Sequence, residues 1–315
     1  MLITTPIRNP FDVERLPLLG RLYRKAFRSG SPSTPAPIRF CSRMAFYLLR
    51  AMTFVEAKGT LKVHMGNEIR YAEFDARNRQ FNAIYFDKYS AGYEPEVTAL
   101  VEALVPDNGV FYDIGSNWGF FSIYLASRPN FSGQIHAFEP WPPSFRDLNG
   151  LVGELGLEST IKCHNIALSN EEGAAFMSSP SHSGLAHLSN DDGIKVKITS
   201  LDHIDLAPPS LIKIDAEGAE DKILLGGNEY LSTHTPMLVF ENRANLFGDT
   251  KCSAVLSMLK DLDYKLFIVK PKRTRGSQNI ELTPITAETR NNYSDCDNLF
   301  ACHQSSVGQL NKKIS

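Results

Sequence analysis

From residue 92 onward, short runs of consecutive apolar residues alternate with segments whose apolar residues recur every three or four positions. The runs predict buried strands, and the periodic segments predict helices. This alternation is typical of an α/β fold, with a mostly parallel sheet and helices on both faces. The predicted strands are 109–114, 134–138, 161–168, 211–214, 237–240, 264–269 and 298–302, and the predicted helices are 94–105, 118–127, 143–155, 219–231 and 252–262.

Two stretches interrupt this alternation. Residues 170–199 are polar with a strand-like pattern, and we expect an insertion near the mouth of the sheet. Residues 270–297 are also polar, and we expect a second excursion between the last two strands.

The first 91 residues follow a different pattern. Apolar residues at helical spacing predict a helix between residues 17 and 30, and the Pro- and Ser-rich residues 31–37 predict a linker. A second helical pattern covers 40–57, and strand-like residues on either side of Gly66 and Asn67 predict a β-hairpin. We therefore expect a basic N-terminal helix with its linker, an accessory helix and hairpin region, an α/β domain and a polar tail, at residues 1–37, 38–91, 92–303 and 304–315.

The composition excludes several classes of protein. The chain is 43% apolar with a formal net charge of -2, which argues against broad nucleic-acid binding because such binding depends on neutralising phosphates. Five cysteines without a C-x-x-C pair predict neither a disulfide framework nor a zinc site, and indicate a reducing, cytoplasmic location. The pattern predicts no transmembrane segment and no signal peptide. The basic helix at 17–30 could contact a membrane surface or a partner peripherally.

A glycine turn follows the first predicted strand of the α/β region. The strand ends at Asp113, and Gly115 and Gly119 permit a tight turn before a helix begins. Ligands of open α/β sheets lie outside the carboxyl ends of the strands, where such a turn presents backbone N–H groups. The G-x-x-x-G spacing differs from the dinucleotide fingerprint, and the charge of Asp113 would repel a phosphate but attract an ammonium group. These features favour an amino-acid-bearing nucleoside such as S-adenosylmethionine.

A second carboxylate supports this interpretation. Glu139 ends the next predicted strand, and an acidic residue at that position can accept both hydroxyls of a ribose. Each of Asp113 and Glu139 alone would more often cap a strand end. At matched strand ends beside a glycine turn, the two together predict a cofactor site.

Three further acids are predicted at the same edge of the sheet. Asp215 follows the strand 211–214, Glu217 lies in the turn behind it, and Glu241 ends the strand 237–240. We expect them to converge on one rim, which is either a functional site or a solvated rim with a helix cap. Carboxylate oxygens could hold Mg²⁺ or Ca²⁺, but the spacing fixes no ligand geometry, so we predict no metal.

Taken in order, these motifs resemble those of the FkbM family of S-adenosylmethionine-dependent methyltransferases. The likeness covers about residues 92–302 and rests on the ordered set of motifs. The matching segments are Tyr-Glu-Pro-Glu at 93–96, Phe-Tyr-Asp-Ile-Gly-Ser-Asn-Trp-Gly at 111–119, Ala-Phe-Glu-Pro at 137–140, Asn-Ile-Ala-Leu-Ser at 165–169, Thr-Ser-Leu-Asp at 199–202, Lys-Ile-Asp-Ala-Glu-Gly-Ala-Glu at 213–220 and Val-Phe-Glu at 239–241.

The resemblance implies a class I methyltransferase fold, which is a Rossmann-like sheet of seven strands with an antiparallel last strand. It also implies S-adenosylmethionine as cofactor and O-methylation of a hydroxyl on a small-molecule, sugar, glycan, glycolipid or polyketide-like acceptor. By position, Asp113, Gly115 and Gly119 would hold the methionine part, Ser116 and Asn117 would supply backbone contacts, Glu139 would hold the ribose, and Asn165 and Ala167 would lie against the adenine.

Transfer of a methyl group to an alcohol also needs a base. Glu217 and Glu241 are the preferred candidates, and Asp215 would position the cofactor or an ion. Two other functions stay open. One is an NAD(P)-dependent oxidoreductase on a Rossmann sheet, disfavoured by the missing third glycine and by Asp113. The other is a non-catalytic module that binds S-adenosylmethionine and acts by assembly through the basic helix.

Overall fold

The computed structural model describes the protein in eight stretches of chain, and every structural statement below refers to these residues. Within them the chain forms three β-sheets and a set of helices. None of the helices in these stretches has both the length and the apolar character needed to cross a bilayer. The predicted linker at 31–37 lies mostly outside them. The described residues are 1–27, 35–89, 92–178, 187–189, 193–242, 249–274, 277–286 and 297–312.

The strands are numbered along the chain. They are β1 Leu2–Pro6, β2 Phe11–Arg15, β3 Lys58–Met65, β4 Glu68–Asp75, β5 Val110–Ile114, β6 Gln134–Phe138, β7 Ile161–His164, β8 Ala167–Leu168, β9 Gly173–Ser178, β10 His187–Ser189, β11 Ile194–Thr199, β12 Leu211–Ile214, β13 Met237–Glu241, β14 Tyr264–Thr274, β15 Ser277–Pro284 and β16 Asn298–His303.

The helices are numbered in the same way. They are α1 Leu18–Phe27, α2 Ala36–Arg50, α3 Asn82–Tyr85, α4 Pro95–Leu104, α5 Phe120–Ala126, α6 Pro142–Glu154, α7 Glu220–Leu225, α8 Asn228–His234, α9 Asp249–Asp261 and α10 Val307–Lys312. Short 3₁₀ turns cover Arg79–Phe81, Asp87–Tyr89, Leu201–His203 and Gln304–Ser306.

The central sheet has nine strands in the order β1-β15-β14-β16-β13-β12-β5-β6-β7. Strands β13, β12, β5, β6 and β7 run parallel, and β16 lies antiparallel between β13 and β14. Seven of these strands, β7, β6, β5, β12, β13, β16 and β14, confirm the α/β class I methyltransferase fold. The last of them along the chain, β16, is the antiparallel one.

Two strands extend this sheet beyond the predicted seven. Strand β15 lies within the predicted polar excursion at 270–297, and it returns as a hairpin along β14. Strand β1 pairs antiparallel with β15, so that Leu2 faces Glu281 and Pro6 faces Ser277. The N-terminal segment thus contributes a strand to the central sheet, which the sequence pattern did not predict.

Alternating residues of the central strands supply two separate cores. On one face Phe111 and Leu211 pack with apolar residues of α4, α5 and α6. On the other face Tyr112 and Ile212 pack with α7, α8 and α9. Neighbouring residues of a strand point to opposite faces, so nearly continuous apolar strands are needed to bury both sides.

Two predicted elements are each divided in the structure. The strand at 161–168 becomes β7 in the central sheet and β8 in a smaller sheet of order β10-β9-β11-β8, which forms the strand-like insertion at 170–199. The helix at 219–231 becomes α7 and α8, separated by Gly226 and Gly227. A side chain at Gly226 would meet the Ser169 carbonyl oxygen at 2.1 Å, so the chain needs glycine where it passes this backbone.

The N-terminal region packs beside the α/β domain. The predicted hairpin is confirmed as β3 and β4, which pair through the turn at Gly66 and Asn67 and form a sheet with β2. Helices α1 and α2 pack against each other, with the rings of Tyr23 and Phe46 centred 4.7 Å apart.

Candidate active site

Strand register brings the predicted acidic residues to one edge of the central sheet. Ile214 pairs with Ile114 on one side and with Phe240 on the other, and Ile114 pairs with Phe138. The positions at or just beyond these strand ends therefore lie side by side. They carry Gly115, Glu139, Asp215 and Glu241.

The turn after β5 depends on glycine. Gly115 has a φ of 72° and Gly119 a φ of 90°, and Asn117 between them has a φ of 51°. A Cβ atom on Gly115 would lie 1.7 Å from the Asp215 carbonyl oxygen. The backbone N–H groups of Gly115 and Ser116 both donate to the Phe138 carbonyl oxygen, at 3.0 and 3.1 Å. The turn is thus locked against the neighbouring strands.

A cavity of about 210 Å³ lies at this edge. Most of the predicted site residues line it. Asp113, Gly119 and Asn165 are not among its lining residues, and their positions are described below. The predicted residues at the cavity are Gly115, Ser116, Asn117, Glu139, Ala167, Asp215, Glu217 and Glu241.

Glu139 is almost completely buried at the end of β6. Its carboxylate accepts hydrogen bonds from the backbone N–H groups of Asn117 and Trp141, both at 2.8 Å. Burial raises the pKa of Glu139 to about 7 despite these two donors. The glycine turn and the β6 end are therefore joined through the carboxylate predicted to bind a ribose.

Asp113 lies beneath the turn and does not line the cavity. It is fully buried, and its carboxylate accepts hydrogen bonds from the backbone N–H and the hydroxyl of Ser122 in α5, at 3.2 and 2.7 Å. The resemblance placed Asp113 in contact with the methionine part of the cofactor. That role stays a prediction, and in the structure Asp113 anchors α5 and faces Lys213.

Gly119 and Asn165 stabilise the elements around the cavity and do not line it. A Cβ atom on Gly119 would lie 2.6 Å from a methyl carbon of Leu148, so the glycine lets α5 pack close to α6. The side-chain amide of Asn165 donates to the carbonyl oxygens of Glu139 and Pro140, at 2.8 and 3.1 Å. Asn165 therefore fixes the turn that follows Glu139, while Ala167 reaches the cavity.

Lys213 is a buried cation at the cavity wall that the sequence analysis did not select. Its position on β12 is directly opposite Asp113 on β5, and its ammonium lies 3.5 Å from the carboxylates of both Asp113 and Asp215. It also donates to the Gly115 carbonyl oxygen at 3.3 Å. Although burial lowers it, the pKa of Lys213 is raised above its usual value because Asp215 and Asp113 favour the charged form.

The three acids predicted for the rim, Asp215, Glu217 and Glu241, all line the cavity. Ligand atoms of Asp215, Glu220 and Glu241 lie within 4.8 Å of one another, whereas Glu217 lines the cavity outside this group. Glu220 stabilises the turn before α7, because its carboxylate accepts hydrogen bonds from the backbone N–H groups of Ala216 and Gly218 at 2.8 and 3.0 Å. The prediction that no metal is bound stays a prediction.

Glu94 is a second cavity residue that the sequence analysis did not select. It precedes α4 with a φ of 39°, an unusual conformation for a residue other than glycine. Burial and the nearby Asp215 raise the pKa of Glu94 to about 8. Strained backbone and a perturbed carboxylate together mark functional sites. The available signal was its place in Tyr-Glu-Pro-Glu, the first of the resembling motifs.

Comparison with known proteins adds a family match. Residues 113–266 match the family model described as Methyltransferase FkbM domain, which spans the glycine turn, the acidic rim and the start of β14. No curated protein matches the chain.

Several solved structures are similar at low identity. Methyltransferase FkbM from Methylobacillus flagellatus KT is 17% identical with a TM-score of 0.39, and the match covers 56% of this chain and 44% of that protein. A SAM-dependent O-methyltransferase from Thermotoga maritima is 11% identical with a TM-score of 0.39, and the match covers 77% of each chain. The O-methyltransferase TomG from Streptomyces achromogenes, solved in complex with SAM, is 14% identical with a TM-score of 0.36, over 71% of this chain and 85% of that one.

Proposed function

We propose that the protein is an S-adenosylmethionine-dependent methyltransferase that methylates a hydroxyl oxygen of a sugar, glycan or polyketide-like acceptor, because residues 113–266 match the family model described as Methyltransferase FkbM domain. The observation that carries this proposal is the cavity at the sheet edge, whose wall combines the glycine turn with several carboxylates. A hydroxyl must lose a proton as it takes up a methyl group, and a positioned carboxylate can accept that proton.

The residues of the cavity fit S-adenosylmethionine. Glu139 would accept hydrogen bonds from the ribose hydroxyls. The turn from Gly115 to Asn117, whose backbone N–H groups donate to Phe138 and Glu139, would contact the amino-acid part through its other backbone atoms. Ala167 lies between Ile166 and Leu168 in an apolar part of the wall that suits an adenine ring. Asp215 would help to position the cofactor, whose charged ammonium is attracted to carboxylates.

The charge of the same wall disfavours a dinucleotide. Its described residues include five carboxyl groups, two of which, on Glu94 and Glu139, have a raised pKa, and its single ammonium group, on Lys213, already faces two aspartates. A pyrophosphate would be repelled there, because few positive charges are left to compensate it. This supports the methyltransferase over the NAD(P)-dependent oxidoreductase. The carboxylates of the wall are Glu94, Glu139, Asp215, Glu217 and Glu241.

The cofactor supplies a methyl group that is already activated on a sulfonium, so the protein chiefly aligns the acceptor and removes its proton. Glu217 and Glu241 line the cavity and are the preferred bases. Asp215 faces Lys213 at 3.5 Å, which suits it to positioning instead. Glu94 becomes a third candidate, because its raised pKa of about 8 brings its titration close to neutral pH.

Replacing the catalytic base is expected to slow turnover. If Glu217 or Glu241 is the base, Glu217→Gln or Glu241→Gln will lower kcat about 10²-fold, because glutamine keeps the shape of the side chain but cannot accept the proton. Single-turnover transfer of a labelled methyl group measures this effect. The affinity for S-adenosylhomocysteine, measured by calorimetry, should change little.

A matched control is Glu229→Gln on the exposed side of α8, which should retain full turnover. If Glu217→Gln and Glu241→Gln both retain full turnover on an identified acceptor, the assignment of the base to these residues is wrong. The same assay on Glu94→Gln then tests the third candidate.

Cofactor affinity is expected to fall in acid. The ionised form of Glu139 is the better acceptor for ribose hydroxyls, so protonation below its pKa of about 7 will weaken binding by up to about tenfold for each pH unit. Calorimetry with S-adenosylhomocysteine between pH 5.5 and 8.5 measures this dependence. Glu139→Gln should bind more weakly at pH 8 and lose the dependence below pH 7. An unchanged slope in that variant would assign the titration to another group, such as Glu94.

The proposed function is tested first by ligand preference. S-adenosylhomocysteine should raise the melting temperature, because a ligand at 100 times its Kd stabilises by about 2.7 kcal/mol, and NAD should not. A labelled-methyl screen of glycolipids, nucleotide sugars and polyketides, with the methylated atom identified by mass spectrometry, then tests O-methylation. Methylation at nitrogen would contradict it. Cofactor binding without transfer to any acceptor class would favour the non-catalytic module.

The remaining expectations concern location and partners. The cytoplasmic location inferred from the cysteine pattern stays a prediction, as does the absence of a nucleic-acid partner. The small-molecule, glycan or glycolipid class of acceptor is part of the present proposal.

A further inference from the structure

Helix α2 has one face that is buried against the protein and a second face that is apolar but exposed to solvent. Its inner face is buried at Ser42 and Phe46, and Phe46 packs on Tyr23 of α1. On the outer side Phe40 is 65% exposed and Leu48 is 62% exposed. Large apolar side chains are seldom left exposed in a group, so this face needs a partner.

Four of the five large exposed apolar residues of α2 share one stripe, and the fifth is Ile38. Counted from Phe40, the residues Met44, Tyr47 and Leu48 follow at four, seven and eight positions, which places all four along the same side of a helix. All four are exposed, and Phe54, just beyond the helix, is 84% exposed. We call these five residues the outer face of α2.

The segment that contains the outer face of α2 has an excess of basic residues. Residues 16–58 contain eight Arg and Lys residues but only one acid, Glu56, although the whole chain has a formal net charge of -2. Arg21, Arg24 and Lys58 of this segment form ion pairs with acids. Helix α2 itself carries Arg39, Arg43 and Arg50 and no acidic residue. Arg39 and Arg43 are exposed, and the guanidinium of Arg43 lies over the ring of Phe27, 4.8 Å from its centre.

The apolar face of α1 is already used inside the protein. Leu19, Tyr23 and Ala26 are buried, and α1 packs on α2. The sequence analysis gave a peripheral membrane contact to this helix because it is basic and amphipathic. In the structure, the exposed apolar surface therefore lies on α2, and not on α1 as the sequence pattern suggested.

We propose that the outer face of α2 docks on a lipid bilayer that carries anionic headgroups. An interfacial helix of this kind places Phe, Leu and Met in the acyl boundary and its basic residues at the headgroups. A second copy of the chain is a poorer occupant, because a symmetric contact through this face would bring together two segments with an excess of basic residues.

The docking surface is connected to the cavity wall. The hydroxyl of Tyr23, which packs on the inner side of α2, accepts a hydrogen bond from the Arg79 side chain at 3.0 Å. Gln80, the next residue, lines the cavity. The proposed docking surface is inferred from side-chain exposure and charge, and this inference does not depend on the identity of the methyl acceptor.

Sedimentation with vesicles tests this surface. The whole protein should sediment with phosphatidylcholine vesicles that contain phosphatidylserine, and binding should weaken markedly on pure phosphatidylcholine or in high salt. The double variant Phe40→Ser/Leu48→Ser should bind at least about tenfold more weakly, because two large apolar side chains no longer enter the lipid.

The matched control is Ile69→Ser/Tyr71→Ser, which removes two exposed apolar side chains from β4. It should bind vesicles like the unchanged protein, and circular dichroism should show that both variants fold. Equal vesicle binding by the two double variants, or no binding by the unchanged protein, overturns the proposal. A dimer seen by light scattering that only Phe40→Ser/Leu48→Ser disrupts, without vesicle binding, also overturns it in favour of a second copy. None of these measurements uses methyl transfer, so their failure leaves the proposed function untouched.

Discussion

Replacing Gly115 by alanine is expected to abolish measurable cofactor binding and to lower the free energy of unfolding by about 3 kcal/mol or more. The new Cβ atom would lie 1.7 Å from the Asp215 carbonyl oxygen, so either the turn or the end of β12 must move. A left-handed conformation adds about 1–2 kcal/mol for a residue other than glycine, and the φ of Gly115 is 72°. A shift of about 1 Å in a positioning element can lower function a hundredfold.

Calorimetry with S-adenosylhomocysteine and urea unfolding measure the two effects of Gly115→Ala. The control is Gly150→Ala on the exposed side of α6, where no atom lies within 4 Å of the added Cβ. That variant should bind the cofactor normally and be more stable by up to about 1 kcal/mol, because alanine favours a helix. If Gly115→Ala binds the cofactor with unchanged affinity, the glycine turn is not the cofactor site.

Replacing Lys213 by methionine is expected to lower the free energy of unfolding by about 3–5 kcal/mol. Methionine is unbranched and only one atom shorter than lysine, but it leaves Asp113 as an uncompensated charge in a fully buried position. The Oδ1 atom of Asp113 has no hydrogen-bond partner, so the ammonium 3.5 Å away is its principal compensation. Urea unfolding at pH 7, followed by circular dichroism, measures the loss.

The double variant Asp113→Asn/Lys213→Met separates charge from packing. Neutralising Asp113 removes the buried charge, so the double variant should recover at least half of the stability lost by Lys213→Met. If the double variant is no more stable than the single one, the loss comes from packing around Lys213 and the electrostatic explanation is wrong.

The sequence predicted the acidic edge well because strand register has a simple consequence. Residues that follow buried parallel strands must meet at one edge, which is why Glu139, Asp215 and Glu241 were placed correctly around the glycine turn. The seven core strands were predictable for a related reason, since burial on both faces demands nearly continuous apolar runs. These predictions needed only the chain's local pattern.

Other features depended on contacts that a local pattern does not contain. Strand β15 carries Ser277, Gln278 and Asn279, and its polar sequence was interpreted as an excursion, although Gln278 is buried. Lys213 lies within an apolar strand, and only the pairing of β12 with β5 reveals that it faces Asp113. Glu94 and Glu220 were missed as site neighbours because their roles depend on burial and on the turns around them.

The pairing of β1 with β15 has a consequence for the order in which the protein folds. More than 270 residues separate Leu2 from its partner Glu281. During synthesis on the ribosome, the apolar side of β1 must wait until the hairpin of β14 and β15 has emerged, and contacts of such long range form slowly. One edge strand of the central sheet is therefore synthesised early and pairs with its neighbour late.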